Sequence, residues 1–159
     1  MMARVLLSGI LLAAFAGESM ADCTNNRIAS GNDITTLISG SLICGRPGSG
    51  YTGNPADRWQ DQHRSDHTLW DHKLGIGNAV DPETQVGTWS TQNGANSTYT
   101  ESHGLPPTYT GGPSYTYQVY RIGAVGSITY SFCVGASEMV VGTINAGQGV
   151  AGQGCASYP

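Results

Sequence analysis

The sequence predicts a mainly β fold: an antiparallel meander, barrel-like or forming a curved sheet, with one short N-terminal helix and disulfide staples. Apolar and polar residues alternate through several short segments rich in Tyr, Thr, Val and Ile, which is the pattern of half-buried strands. Turn-forming residues separate these segments about every dozen positions, a spacing typical of successive hairpins. The chain also carries four cysteines, an even number that suits two disulfides.

Residues 1–21 have the layout of a secretory signal peptide. Arg4 supplies the positive charge, an apolar run follows from Val5 to Phe15, and Ser19-Met20-Ala21 fits a small-x-small cleavage site. The apolar run is too short to span a bilayer, which takes about 20 residues. We therefore expect cleavage after Ala21 and export to the periplasm or the extracellular space.

Cleavage there leaves residues 22–159 as a single secreted β domain. Asp22 stands where a lipoprotein signal carries a small residue, so lipid attachment at Cys23 is disfavoured. The formal net charge is −4 and only 11% of the residues are charged, whereas a nucleic-acid partner would require a basic face. No stretch after the signal peptide is apolar enough to span a membrane. The sequence thus predicts neither a nucleic-acid partner nor a membrane span.

The cysteines of an exported chain are expected to form disulfides. Of the three connectivities that four cysteines allow, the local one is favoured, because it closes two loops of similar size and staples both ends of the domain. It pairs Cys23 with Cys44 and Cys133 with Cys155. A metal site is disfavoured because the chain contains no CxxC pair.

A short helix followed by a strand is predicted near the mature N-terminus. Asp33 is the candidate N-cap, and Gly40 ends the helix. The apolar residues at helical spacing are Ile34, Leu37 and Ile38. The strand then covers Ser41–Cys44, and the Gly- and Pro-rich segment after it is predicted to be a loop.

From residue 84 onward the pattern is that of β-strands. TQVGTWSTQ and STYTES flank Asn93-Gly94 and predict a hairpin. SYTYQVYRI and SITYSFCV alternate and are joined by GAVG, and EMVVGTI is the final strand. Residues 101–114 and 145–154 are predicted to be loops.

Residues 58–75, RWQDQHRSDHTLWDHKLG, contain three of the four histidines and admit two interpretations. A helix would place one stripe on a single face: Trp59, His63, Trp70 and Leu74. A hairpin would pair Arg58–Arg64 with Thr68–Leu74 around a turn at Ser65-Asp66-His67. Asp and Ser favour the turn, and Thr and Trp favour strands, so the hairpin is preferred, with two half-buried tryptophans as anchors.

Several segments together resemble a group of small secreted bacterial β-meander proteins of uncharacterised function. The segments are RWQDQH, LWDHKLG, VDP, VGTWS, SYTYQVY, YSFC and GQGC, and they span most of residues 33–155. Gly87-Thr88-Trp89 also follows a G-x-W pattern of exported β-meander domains. The resemblance implies an exported β-meander and no particular activity. The chain departs from the group at Ser65-Asp66-His67, where a Gly-rich turn is expected.

His63, His67 and His72 are the candidate metal ligands. On a helix, His63 and His67 would lie one turn apart and could hold Zn²⁺ or Cu²⁺ together. The glutamate that a zinc metalloprotease carries directly after its first histidine is absent, since Arg64 stands there. The simpler interpretation is that the three histidines are solvated polar residues beside aromatic anchors, so no cofactor is expected.

Signals of catalysis are weak. Six carboxylates lie between residues 57 and 83, enough for the acid pair of a glycosidase, although any acidic hairpin offers such pairs. All cysteines are expected to be oxidised, and the chain has no G-x-S-x-G motif, so no nucleophile is evident. We therefore expect a non-enzymatic protein without catalytic residues.

Aromatic residues give the best indication of a binding surface for a sugar or an apolar ligand. The candidate surface comprises Trp59, Trp70, Tyr99, Tyr109, Tyr115 and Tyr120. The aromatic residues assigned instead to the core are Trp89, Tyr117 and Tyr130.

Three functions follow from these features. The first is a secreted binding or inhibitory module whose partner is an unknown protein or a carbohydrate. The second is a structural subunit of an extracellular filament or surface assembly, which would self-associate through edge strands. The third is a small metal-binding protein or enzyme that uses the histidines at positions 63–72.

Overall fold

The computed structural model describes residues 23–71, 84–105, 110–123, 128–150 and 154–158. Within them the chain forms one helix and eight strands: α1 (Gly31–Ile38), β1 (Ser41–Pro47), β2 (Trp59–His63), β3 (Thr68–Asp71), β4 (Thr84–Gln92), β5 (Thr98–Leu105), β6 (Thr110–Ile122), β7 (Thr129–Val134) and β8 (Ser137–Ala146). The signal peptide, predicted at residues 1–21, lies outside the described residues. No helix in the described part of the chain is long and apolar enough to cross a membrane.

The eight strands form a closed antiparallel barrel in which each strand pairs with the next in sequence. β8 returns to β1, with partners running from Ser41↔Ala146 to Pro47↔Val140. Closure pairs both edges of every strand in the described ring, which removes the exposed edges that an open sheet would present. The predicted mainly β, antiparallel and barrel-like fold is confirmed.

The helix α1 closes one end of the barrel. Ile34 and Ile38 are fully buried and pack with Trp89, Tyr99 and other residues of the barrel interior. The predicted N-cap was wrong, because Ser30 caps the helix by accepting from the Asp33 N–H, and Asp33 lies in the first turn. Gly40, with φ +69°, follows the helix as expected, since this backbone conformation suits glycine.

The hairpin predicted in residues 58–75 is confirmed where the structure describes it. β2 and β3 are antiparallel, with Asp61↔Asp71 and His63↔Leu69 as partners. The Asp66 carboxylate accepts hydrogen bonds from the backbone N–H and the hydroxyl of Thr68, which stabilises the turn without the glycines expected there. Alternation sends Trp59 to the inside and Trp70 to the outside, and both are half-buried as predicted.

The predicted loop at residues 101–114 was wrong. β5 continues to Leu105 and β6 begins at Thr110, and Gly104 pairs with Gly111. A Cβ atom at Gly112 would lie 2.2 Å from the His103 carbonyl oxygen, so the two backbones approach closely because glycine lacks a side chain. The glycines of this segment therefore serve strand pairing. β1 likewise runs on to Pro47, beyond the predicted end at Cys44.

The predicted disulfide connectivity was wrong as well. The two bonds join Cys23 to Cys133 and Cys44 to Cys155, across 110 and 111 residues of sequence. Each attaches one terminal segment to the outside of the barrel, which is why outward-facing residues such as Cys44 and Gln60 are buried. The Cys155 backbone N–H donates to the Gln60 side chain at 3.1 Å. The prediction had relied on the similar size of the two loops that the local pairing would close. Loop size does not indicate which strands the two ends of the chain pack against.

Candidate functional site

A cavity of about 360 Å³ lies inside the barrel at the end opposite α1. Two lining residues show which end this is: Trp59 is the first residue of β2 and Asp71 is the last residue of β3. The helix α1 lies at the other end of the barrel, where it is hydrogen-bonded to Asn93, just after the end of β4. Tyr115, which is 45% exposed, brings the lining to the surface. We call this cavity and its lining residues the cup. A concave site of this size suits a small molecule.

Aromatic rings form much of the cup: Tyr51, Trp59, Tyr115, Tyr117 and Phe132. Tyr115 stacks on Tyr117 with ring centroids 6.5 Å apart, and Tyr117 stacks on the deeper Tyr99 at 6.2 Å. The three tyrosines alternate along neighbouring positions of β5 and β6, so their rings line up from the opening to the core. Tyr51 meets Trp59 edge to face at 5.3 Å.

The polar part of the described lining consists of the carboxyl groups of Asp61, Asp71 and Glu101 and the imidazole of His103, without Lys or Arg. Asp61 and Asp71 are directly paired across β2 and β3. Glu101 and His103 are alternate residues of β5, and His103 Nε2 lies 3.6 Å from Glu101 Oε2. The cup is therefore acidic as well as aromatic.

Glu101 is connected to a hydrogen-bonded chain beneath the cup. The Tyr99 hydroxyl donates to Glu101 Oε1 and also contacts Nε2 of His63, a histidine with no solvent exposure. His63 Nε2 lies 3.7 Å from the same carboxylate oxygen, and its Nδ1 is 3.0 Å from the Asp61 carbonyl oxygen. A carbonyl oxygen only accepts, so Nδ1 carries a hydrogen.

The contacts of this chain favour the ionised form of Glu101. An ionised carboxylate only accepts, so the Tyr99 hydroxyl donates to Glu101. His63 and His103 lie on either side of the same carboxylate. The Asp61 carboxylate has no comparable hydrogen-bond partner among the described residues.

Their surroundings shift the pKa values of Glu101 and Asp61 in opposite directions. Burial opposes the ionisation of Glu101, but hydrogen bonds with His103, His63 and Tyr99 outweigh it and lower the pKa of Glu101 to about 2. Burial raises the pKa of Asp61 well above its usual range, and repulsion by Glu101 and by Asp71 adds to the effect. No hydrogen bond from a described residue reaches the Asp61 carboxylate, so nothing in the described protein favours its charged form.

We expect Asp61→Asn to raise the free energy of unfolding at pH 7, on the order of 1 kcal/mol, because it removes an uncompensated charge from the cup. The pKa of Asp61 is raised in the folded state, so its ionisation lowers stability as the pH rises above the ordinary value of 3.8. The gain should therefore shrink toward zero below that pH. Urea unfolding from pH 3 to pH 8 measures it, with the exposed Asp33→Asn as control, and a loss of stability at pH 7 would contradict it.

The structure divides the predicted aromatic surface among three environments. Trp59 and Tyr115 line the cup. Tyr99 is fully buried in the core and Tyr120 is buried on the outer face beside the Cys23–Cys133 disulfide, so the prediction was wrong for both. Trp70 lies outside the barrel, where the Arg64 guanidinium stacks on its ring at 3.8 Å. Tyr109 lies outside the described residues.

The three aromatic residues predicted to belong to the core do lie in it or against it. Trp89 and Tyr130 belong to the buried core, and Tyr117 packs against it while also lining the cup. Tyr117 is thus both a core and a site residue.

The histidines do not form the predicted cluster. His63 is enclosed in the barrel, whereas His67 lies in the β2–β3 turn with its ring 4.4 Å from that of Trp89. His72 lies outside the described residues. In the described part of the chain, no three His, Cys, Asp or Glu side chains are arranged to hold a metal ion. The view of the histidines as solvated polar residues was wrong for His63.

Sequence analysis missed Glu101 and His103, and it counted Asp61 and Asp71 only among the six carboxylates of residues 57–83. One signal was available: Tyr99, Glu101 and His103 alternate in a single strand and must share a face, as must Trp59, Asp61 and His63. Two such polar-aromatic faces would have indicated a functional interior, because charged groups are rarely directed into a barrel without a purpose.

Comparisons with protein-family models, with curated proteins and with solved structures find no significant match for this chain. The resemblance to secreted bacterial β-meander proteins therefore stays an expectation.

Proposed function

We propose that this protein is an exported binding protein that holds a small, largely aromatic or apolar molecule in the cup. The observation that carries the proposal is the cavity itself, which is closed at one end by α1 and lined at the other by five aromatic rings. Aromatic rings present apolar area in fixed geometry, and small-molecule sites consist mainly of such area with a few polar groups.

Rigidity supports the same function. Two disulfides anchor the chain ends to the barrel, and the ring of strands is closed. A cavity that exists before its ligand arrives avoids part of the entropy cost of ordering a site on binding. A structural subunit that assembles through edge strands has less support, because the strands of the described ring pair with one another on both sides.

A fluorescence titration with the neutral dye N-phenyl-1-naphthylamine tests the function. We expect saturable binding of one dye per protein, and we expect Val86→Trp, which fills the cup, to weaken it by at least about tenfold. The matched control is Val134→Trp, which adds the same atoms at an exposed position outside the cup. Circular dichroism verifies that both variants fold. Equal binding by the two variants, or no saturable binding by the wild type, would overturn the proposal.

One observation favours a second candidate, an acid–base enzyme acting on a molecule held in the same cup. Asp61 and Glu101 are two carboxyl groups whose pKa values are moved apart by their surroundings, an arrangement that supplies a general acid and a general base. Turnover that both Asp61→Asn and Glu101→Gln abolish would distinguish this candidate from simple binding.

A further inference from the structure

The charge of the cup indicates which class of molecule it takes, an inference that rests on the proposed binding function. The described lining holds three carboxyl groups and no Lys or Arg. Its carboxyl groups therefore attract a cationic ligand and repel an anionic one. The aromatic rings do not discriminate in this way, because they contact only the apolar part of the ligand.

The carboxyl groups differ in how far the protein already satisfies them. Glu101 is engaged with Tyr99, His63 and His103. Asp61 is not, since no hydrogen bond from a described residue reaches its carboxylate, and it faces Asp71 across the strand pair. A positively charged group placed beside Asp61 would relieve the repulsion between these neighbouring acids.

The rings around Asp61 are also suited to a cation. Trp59 is the neighbouring inward residue of the same strand, and Tyr115 and Tyr117 form the stacked wall next to Glu101. The faces of such rings attract ammonium groups, and desolvation inside a cavity strengthens the attraction. A metal ion is less suited to the cup, because the described acids and histidines do not converge on one point.

We infer that the cup selects a small amine: a molecule with a primary or quaternary ammonium group, held beside Asp61, and an aromatic or aliphatic body packed against the rings. The ammonium group ionises Asp61 when it binds, so binding releases a proton from the protein below the raised pKa of Asp61. Affinity for the amine should accordingly rise with pH until Asp61 is ionised in the free protein. The titratable groups that face Asp61 are Asp71 from β3, Glu101 from β5 with His103 beside it, and Tyr158 from the C-terminal segment, with Tyr99 and Tyr117 behind them.

Isothermal titration calorimetry with three indole probes of matched size tests the inference. Tryptamine is cationic, tryptophol is neutral and indole-3-propionate is anionic at neutral pH. We expect tryptamine to bind about ten- to a hundredfold more tightly than tryptophol, and indole-3-propionate to bind most weakly. Titrations at a series of pH values from 4 to 8, in buffers of different ionisation enthalpy, should show proton release with tryptamine below the raised pKa of Asp61 and none with tryptophol.

Three variants test which carboxyl group is responsible for the preference for tryptamine. Asp61→Asn should remove most of the preference for tryptamine and the proton release, while leaving tryptophol binding within about twofold. Asp71→Asn is the second variant and should weaken the preference in the same direction. Asp66→Asn is the control, because it removes an equal charge in the exposed β2–β3 turn at the other end of the barrel. It should leave the affinities for tryptamine and tryptophol and the proton release unchanged.

The outcomes separate the inference from the function on which it rests. Equal binding of tryptamine and tryptophol, or an equal loss in Asp66→Asn, would overturn the charge selection while leaving the cup a binding site. Failure of all three probes together with the neutral dye would overturn the binding function, and the charge selection with it.

Discussion

Replacing Cys44 and Cys155 together by alanine is expected to lower the free energy of unfolding by about 4–5 kcal/mol. The bond spans 111 residues, so its loss restores a large loop entropy to the unfolded chain. It would also release the C-terminal segment from the outer face of the barrel, where the Cys155 N–H donates to the buried Gln60 side chain. Urea unfolding of the oxidised wild type and of the double variant measures the loss.

The pair Cys23→Ala and Cys133→Ala serves as the matched comparison, because its loop of 110 residues has nearly the same length. Both double variants should lose similar amounts of stability. Peptide mapping without reduction should join the Cys23 peptide to the Cys133 peptide. A loss below about 1 kcal/mol for both variants, or a Cys23–Cys44 peptide, would refute the account of how the chain ends are held.

Glu101→Gln is expected to lower the free energy of unfolding at pH 7 by about 3 kcal/mol. The native contacts lower the pKa of Glu101 from the ordinary 4.5 to about 2, and each pKa unit corresponds to about 1.4 kcal/mol. The variant also removes the carboxylate that the buried His63 and Tyr99 contact, and leaving buried polar groups without their partner is costly. Thermal or urea unfolding monitored by circular dichroism provides the measurement.

The stability difference between the wild type and Glu101→Gln should depend on pH. Because the pKa is lowered in the folded state, the contribution of Glu101 is fully present above about pH 4.5 and is lost as the pH falls toward 2. The stabilities of wild type and variant should thus converge in that interval. The exposed Asp33→Asn should show no comparable change. A difference that stays constant from pH 7 to pH 2 would mean that Glu101 acts through packing rather than through its charge.

The strands and the hairpins could be predicted because they depend on local pattern. Alternation in SYTYQVYRI and the Asn93-Gly94 turn both specify structure within about ten residues, and Asp66 organises its turn through a neighbouring threonine. The loop predicted at residues 101–114 was wrong, and Gly104 and Gly111 could not correct it, because glycine occurs both in loops and where two backbones pair closely.

The pairing of cysteines and the content of the cup could not be predicted in the same way. Cys44 and Cys155 meet because the C-terminal segment crosses the outside of the barrel, a contact that no local pattern encodes. His63 and Glu101 meet because β2 and β5 face each other across the closed ring. Alternation can assign each to an inner face, but only closure determines that the two faces meet.

The most direct test of the binding cup is to locate a bound probe by NMR, using protein with ¹³C-labelled Tyr and Phe rings and saturating tryptamine. We expect intermolecular nuclear Overhauser effects between the indole protons and the rings of Tyr115, Tyr117 and Phe132, which line the cup. Their loss in Val86→Trp and persistence in Val134→Trp would place the probe inside the barrel. Contacts confined to Tyr120 on the outer face, or none at saturation, would contradict the claim that the open end of this barrel is a ligand site.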